Sequence, residues 1–264
     1  GLAIKGQSRE NLIIATKCGL VWDENDHVTV NLTEDSIKKE IDDSLRRLGT
    51  EYIDLYQMHW PDPDTPIEES MASLLDIQRS GKIRHIGVSN FSLAMTQKAK
   101  SYGPVVSFQG LYNMLEHNPE AYHTIPLAYR VQDEILPCCE EHGMAFLPYS
   151  PIFQGLLTDD FHSDGNFDEN DVRSDNPKLN GETFQTYYQI RNELKALADE
   201  IGKPLSQMAI NWLVEQPAMG PVICGAQVPA HVEENAASVD WKLTPDVLAQ
   251  IDRILAPHKT AGLV

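Results

Sequence analysis

The chain has 264 residues, 42% of them apolar, enough for one large core. Its 39 acidic and 21 basic residues give a formal charge of −18, a field that repels phosphate backbones and anionic membranes and argues against nucleic acid as a partner. No apolar run reaches the roughly 18–20 residues of a membrane span.

The elements alternate between strand and helix. Residues 12–16, in "LIIATKCGL", form a buried strand that delivers Lys17 to its carboxyl end. A polar loop, "VWDENDHVTVN", follows. Thr33 is expected to cap a helix with Glu34 and Asp35 in its first turn and Arg46 and Arg47 in its last. Ile37, Ile41, Leu45 and Leu48 mark its buried face, and Gly49 ends it. "YIDLYQMHWPD", residues 52–62, alternates as a strand does and stops at His59 and Trp60 before Pro61, which ends pairing. Thr65-Pro66-Ile67-Glu68 reads as a capping box for a helix burying Ile67, Met71, Leu74 and Leu75 and ending at Gly81. "IRHIGVSNF" is the next strand, with Ser89 and Asn90 at its end and Ser92 capping a short helix.

"VVSFQGLYN" is a further strand ending near Gln109. The helix over Val131–His142 contains Pro137, so it is kinked or begins late. "MAFLPYSP" carries Tyr149 and Ser150 to a strand end. The long polar loop at about residues 157–183 reads as a lid. Helices at about 185–201 and 204–216 lead to a last strand, "PVICGA". A helix then opens around Pro229, and a final one covers about 244–256. No Gly- or Ser-rich linker interrupts the chain, so residues 1–264 are expected to form a single domain of six βα units. A closed barrel needs eight. Cys18, Cys138, Cys139 and Cys224 form neither a CxxC pair nor a framework; with no signal peptide expected, they suggest reduced thiols in a cytoplasmic protein. No metal site is expected.

Strand carboxyl ends are where parallel α/β proteins build active sites. Lys17 and His59 place a cation and an imidazole at two of them. Each has a plainer reading, a solvated lysine and a packing His-Trp pair. Trp22 either lines a substrate pocket beside Trp60 or lies on a surface loop, Tyr149 either stacks on a ligand or fills core, and Trp212 reads as core.

"IATKCG", "DLYQMHWPD", "GKIRHIGVSNF", "VVSFQGLYNML", "LPYSPIFQGLLT" and "VICGAQVPAHVEEN" together resemble the aldo-keto reductases in order, spacing and strand-end position, most of all bacterial members of the general-stress and inositol-operon type. The resemblance spans essentially the whole chain. It implies a (β/α)8 TIM barrel that reduces aldehydes and ketones to alcohols with NADPH, NADH being the second candidate. Lys17 and His59 match two members of the catalytic set. The other two, a tyrosine and an aspartate, belong to an "FDTA…YG"-like segment that this sequence lacks. The expectation is therefore six of eight βα units, with the first two absent and the catalytic set incomplete.

The resemblance also assigns Ser89, Asn90 and Gln109 to the nicotinamide carboxamide and Tyr149 to the nicotinamide face. It gives Ser150, Ile152, Gly155 and Leu156 to the diphosphate, Gly225, Ala226 and Gln227 to the adenosine phosphate, and Glu234 and Asn235 to adenine. His231 stands where many relatives carry an arginine, which weakens the expected grip on a 2′-phosphate. The expected partner is a small carbonyl compound; oligomeric state stays open. Two other readings follow from the incomplete set: an inactive relative that binds cofactor as a regulatory or interaction module, and a Schiff-base aldolase using Lys17, for which the cofactor segments have no purpose.

Overall fold

The computed structural model describes residues 1–161, 167–168 and 171–260. Two short 3₁₀ turns, Leu2–Ile4 and Arg9–Asn11, precede β1 (Ala15–Cys18), so the first strand begins later than expected and Lys17 lies within it. The expected polar loop is instead a hairpin of β2 (Leu20–Trp22) and β3 (Val28–Val30). Its turn is built by Asp23, whose Oδ1 accepts from the backbone amides of Asn25 and His27 at 2.8 and 3.0 Å.

Helix α1 (Glu34–Leu48) buries Ile37, Ile41 and Ser44, and each sealed isoleucine contributes on the order of 1.5–3 kcal/mol. Gly49 closes it at φ 67°, its amide bonding Leu45 O at 2.8 Å. Thr33 is the N-cap residue, yet its hydroxyl donates to Asn31 Oδ1 instead of capping. After β4 (Ile53–Met58) the pattern repeats: Thr65 donates to the buried Asp62, and α2 (Ile67–Arg79) starts after Pro66 with no side-chain cap. A nearby carboxylate or amide oxygen outcompetes the helix amides for both threonines. β5 (Ile83–Ser89) leads to α3 (Leu93–Tyr102), where Ser92 Oγ does accept from Met95 N at 3.2 Å. β6 (Val105–Leu111) follows.

These elements belong to the first of two compact units, Gly1–Gln109 with Glu141–Ala145. Within it β1, β4, β5 and β6 pair in that order, all parallel. Helix α1 packs on β1 and α2, and α2 on β5 and α3. At the amino ends of the strands, Arg9 and Arg84 lie on the Tyr52 ring at 3.8 and 4.0 Å and both bond the carboxylate of Asp54, at 2.6 and 2.9 Å.

The second unit, Gly110–Glu140 with Phe146–Val264, carries a small hairpin, β7 (Ala121–Tyr122) with β8 (Ile125–Pro126). Pro137 is accommodated by a π turn over Val131–Ile135 that passes into α4 (Leu136–His142). β9 (Ala145–Tyr149) comes next. The expected strand at 221–224 does not form; the segment contributes an isolated parallel bridge, Ile223 with Tyr149. Helices α5 (Gly181–Glu200), α6 (Leu205–Val214), α7 (Pro229–Ala236) and α8 (Pro245–Thr260) complete the unit, with α5 packed on α6 and α8. Of the expected lid, residues 162–166 and 169–170 lie outside the described residues; the remainder includes a 3₁₀ turn at Pro177–Leu179.

Candidate active site

Register across the first unit aligns its chemistry in rows. Lys17 pairs with Gln57, Gln57 with Gly87, and Gly87 with Ser107. Alternation then puts His59, two residues past Gln57, on the same side of the sheet as Gln57. Ser89 and Gln109, two further along β5 and β6, are in register with each other. His59 N also donates to Cys18 O at 2.9 Å, which extends the β1–β4 ladder to the imidazole.

Lys17 is half-buried and has no ion-pair or hydrogen-bond partner among the described residues. Burial holds its ammonium below the ordinary lysine range. His59 is pushed down to about 4, first by burial and then by the charge on Lys17, so its imidazole is neutral at physiological pH. The site thus presents an uncompensated cation beside a neutral imidazole.

Polar side chains continue the row. Gln57, buried in the strand interior, donates Nε2 to Gln109 Oε1 at 3.0 Å and accepts from Ser107 Oγ at 3.3 Å. Gly87 gives Gln57 its space: a Cβ there would stand 2.3 Å from Ser107 Oγ and 2.9 Å from Gln57 Cγ. Asn90, at φ 60°, donates Nδ2 to His59 O and Ser89 Oγ, each at 3.2 Å, and its backbone amide bonds Gln109 O at 3.2 Å. Beside these, Cys18 is sealed, its Sγ 3.6 Å from Gln57 O, and burial pushes its thiol up. Trp60 is half-buried next to His59, whereas Trp22 is 68% exposed on the hairpin.

In the second unit Tyr149 ends β9, edge-on to Tyr122 at 5.4 Å, and burial raises its phenol. Ser150 follows at φ 57°, its carbonyl accepting from Asn113 Nδ2 at 3.1 Å. Phe153, Gln154 and Gly155 then take left-handed φ of 46, 53 and 98° in succession. For the two non-glycine residues this costs on the order of 1–3 kcal/mol each, which the surroundings must offset. Phe153 is sealed edge-on to Tyr187 at 5.1 Å. The buried Arg191 of α5 bonds the carbonyls of Leu156, Thr158 and Asp159 at 3.4, 2.6 and 3.2 Å. Ile152 opens this turn and Leu156 closes it, sealed from solvent.

Gly225, Ala226 and Gln227 form an exposed loop. Asn235 Nδ2 donates to Gly225 O at 3.1 Å, and Gln227 N donates to Nδ1 of the exposed His231 at 3.3 Å. Glu234 accepts from Ser206 Oγ. Helix α7 has no side-chain cap on its first-turn amides and no acidic residue there. Gln57, Asn113 and Arg191 are not singled out by the sequence. For Gln57 a signal exists, since it shares the strand parity of His59.

The donor set of the first unit fits a nicotinamide cofactor. Ser89, Asn90 and Gln109 bring a hydroxyl and two primary amides to one sheet end, and Gln109 Nε2 keeps a donor without a partner among the described residues. A carboxamide needs such donors and acceptors together.

Comparison with known proteins agrees with this chemistry. A family model described as "Aldo/keto reductase family" matches residues 1–256. The aldo-keto reductase YhdN of Bacillus subtilis (strain 168) is 33% identical over 257 residues, 97% of this chain and 74% of the relative. The NADH-specific methylglyoxal reductase of Escherichia coli (strain K12) is 29% identical over 256 residues, 92% of this chain and 74% of its own length. Among solved structures, a glycerol dehydrogenase from Gluconobacter oxydans superposes with a TM-score of 0.84 at 34% identity, covering 96% of this chain and 74% of that one.

Proposed function

The chain belongs to the aldo/keto reductase family and is an oxidoreductase of that family; on that premise we propose that it reduces small aldehydes or ketones to alcohols with NADPH or NADH. The observation that carries the reading is the pair Lys17 and His59, a cation without a carboxylate partner among the described residues beside a neutral imidazole. The methylglyoxal reductase and glycerol dehydrogenase among the similar proteins favour a small, polar carbonyl compound.

The cofactor, when bound, supplies the hydride. In the first unit Ser89, Asn90 and Gln109 would hold its carboxamide; in the second unit Tyr149 is the residue assigned to the nicotinamide. Residues 150–156 take the diphosphate on left-handed backbone amides. The neutral His59 donates an N–H to the substrate carbonyl and orients it. Lys17 stabilises negative charge developing on that oxygen and favours ionisation of any hydroxyl beside it. None of this chain's matched segments supplies the family's tyrosine hydroxyl, so Lys17 and His59 are assigned polarising and orienting roles. Trp60 borders the carbonyl through its neighbour His59; Trp22, out on the hairpin, is the weaker of the two pocket assignments.

The adenosine phosphate falls to Gly225, Ala226, Gln227 and the amides opening α7, with Glu234 and Asn235 at the adenine. His231 is the candidate for a 2′-phosphate. An imidazole lacks the planar donor fork of a guanidinium, so NADPH binding is modest and His231→Arg tightens it by about 1–2 kcal/mol. The test is turnover of a panel of small aldehydes and ketones with each cofactor, followed by its absorbance. Lys17→Met and His59→Ala should each lower kcat/KM by about 10² or more, with cofactor Kd nearly unchanged. Turnover unaffected by both changes would refute the assignment.

A further inference from the structure

The loop assigned to the diphosphate contains a side chain whose polar atoms are all accounted for. Gln154 Oε1 accepts from Asn176 Nδ2 at 2.8 Å, and Gln154 Nε2 meets His123 Nε2 at 2.7 Å. Asn176 is 5% exposed, and its own Oδ1 accepts from the backbone N–H of Lys178 at 3.0 Å. A backbone N–H can only donate. That bond fixes Asn176 with its NH₂ toward Gln154, which fixes Gln154 with its NH₂ toward His123. The ring nitrogen it meets must then be a bare acceptor, so His123 is neutral and carries its proton on Nδ1.

We propose that His123 and Asn176 are positioning residues that clamp Gln154, and with it the left-handed run Phe153–Gly155, in the form that binds diphosphate, and that a proton on His123 opens the clamp. This rests on the reading of residues 150–156 as the diphosphate loop. A protonated imidazole sets N–H against N–H. Turning the Gln154 amide over only moves the conflict to Asn176, which the Lys178 amide holds in place. With the His123 bond lost, Gln154 is tied only through Oε1 to Asn176, a single hinge-like bond that opposes relaxation of its left-handed backbone less than two bonds do.

The charged groups around His123 are mixed. Burial holds the imidazole below its ordinary range and Lys178 adds to this, while Asp175 and Glu116 act the other way. Lys178 is itself paired to the buried Glu116 at 2.5 Å. Glu120, Arg130 and Lys259 line the same groove of about 490 Å³ that His123 borders. The proton therefore arrives below the ordinary histidine range, and cofactor affinity falls as pH falls through that region. NADH lacks the 2′-phosphate for which His231 is the candidate, so titration with NADH reads the clamp alone.

The test is NADH titration of the full chain from about pH 8 down to about pH 5, a window that starts above the ordinary histidine value and reaches below it, where burial holds His123. Wild type should bind about 5-fold more weakly at the acid end, the value of roughly one net hydrogen bond. His123→Gln, whose side chain reaches the position of Nε2 without titrating, should be flat. Gln154→Glu should reverse the sign, because a carboxylate accepts from Asn176 and from a protonated imidazole alike. Nitrogen shifts of His123 and exchange of the 153–157 amides read the clamp without cofactor: an Nδ1–H tautomer and faster exchange on protonation are expected. An Nε2–H tautomer, or a wild-type pH profile unchanged in His123→Gln, overturns the proposal. Failure of both NADH and NADPH to bind at any pH would refute the loop's assignment to diphosphate, and the shifts and exchange would still decide the clamp.

Discussion

Gly87 shows how a residue without a side chain shapes the candidate site. Its missing Cβ leaves room for Gln57, which in turn holds Gln109. Gly87→Ala forces Ser107 and Gln57 aside, and overpacking of this kind costs about 1–3 kcal/mol. The variant should unfold at lower urea concentration and bind cofactor more weakly, with Gln57→Ala weakening the cofactor in the same direction; unchanged midpoint and affinity in Gly87→Ala would contradict this packing. At this scale the sequence is informative where a strand runs out. Lys17, His59, Ser89 and Asn90 stand beside glycine, proline or a helix cap. Gln57, His123 and Asn176 are not legible, because a glutamine inside a strand or a histidine in a polar stretch looks like surface until register and hydrogen-bond direction are known.

At the scale of elements, the legible ones are those with a buried stripe, such as α1 and α2. The β2–β3 hairpin reads as loop because each strand is only three residues long and β3 buries nothing, so the alternation of Val28-Thr29-Val30 is too short to mark a strand. The segment at 221–224 is apolar enough for a strand but forms a single bridge. Helix α5 makes a contribution that its pattern conceals: Arg191, on its buried side, fastens the 156–159 carbonyls. Hydrogen bonds from a charged donor contribute about 1.5–3 kcal/mol. Arg191→Met should therefore lower Tm and raise amide exchange in residues 156–159 more than in α6. Equal exchange in the two segments would show that the arginine does not secure the loop.

For the whole molecule, pH acts through buried histidines against a background of net negative charge. His59 and His117 stay neutral in the folded chain down to about 4 and about 3, both mainly through burial. In the unfolded chain they take protons near 6.5. Between those values the unfolded state holds more protons, so stability is fully present above about 6.5 and is lost as pH falls. For the two together the loss is on the order of a few kcal/mol, each tenfold change in proton affinity being worth about 1.4 kcal/mol before solvent screening reduces it. Protonating carboxylates relieves repulsion in a chain of charge −18 and works the other way. His117→Gln isolates the histidine part: its unfolding free energy should fall less steeply than wild type between about pH 6.5 and about 3, a window set by the ordinary and folded values of that histidine. Identical slopes would remove His117 from the account.

The sealed thiol of Cys18 has a consequence for covalent chemistry. It lies one residue from Lys17 and in van der Waals reach of the Gln57 carbonyl, with its thiolate disfavoured by burial. Alkylating and oxidising reagents attack thiolates that they can reach. The sulfur lies on the side of the sheet that carries α1, with Glu40 near it, so it becomes reachable when α1 lifts from β1. Oxidative damage at Cys18 is thus confined to molecules whose first unit has already opened, and a folded chain shields this sulfur.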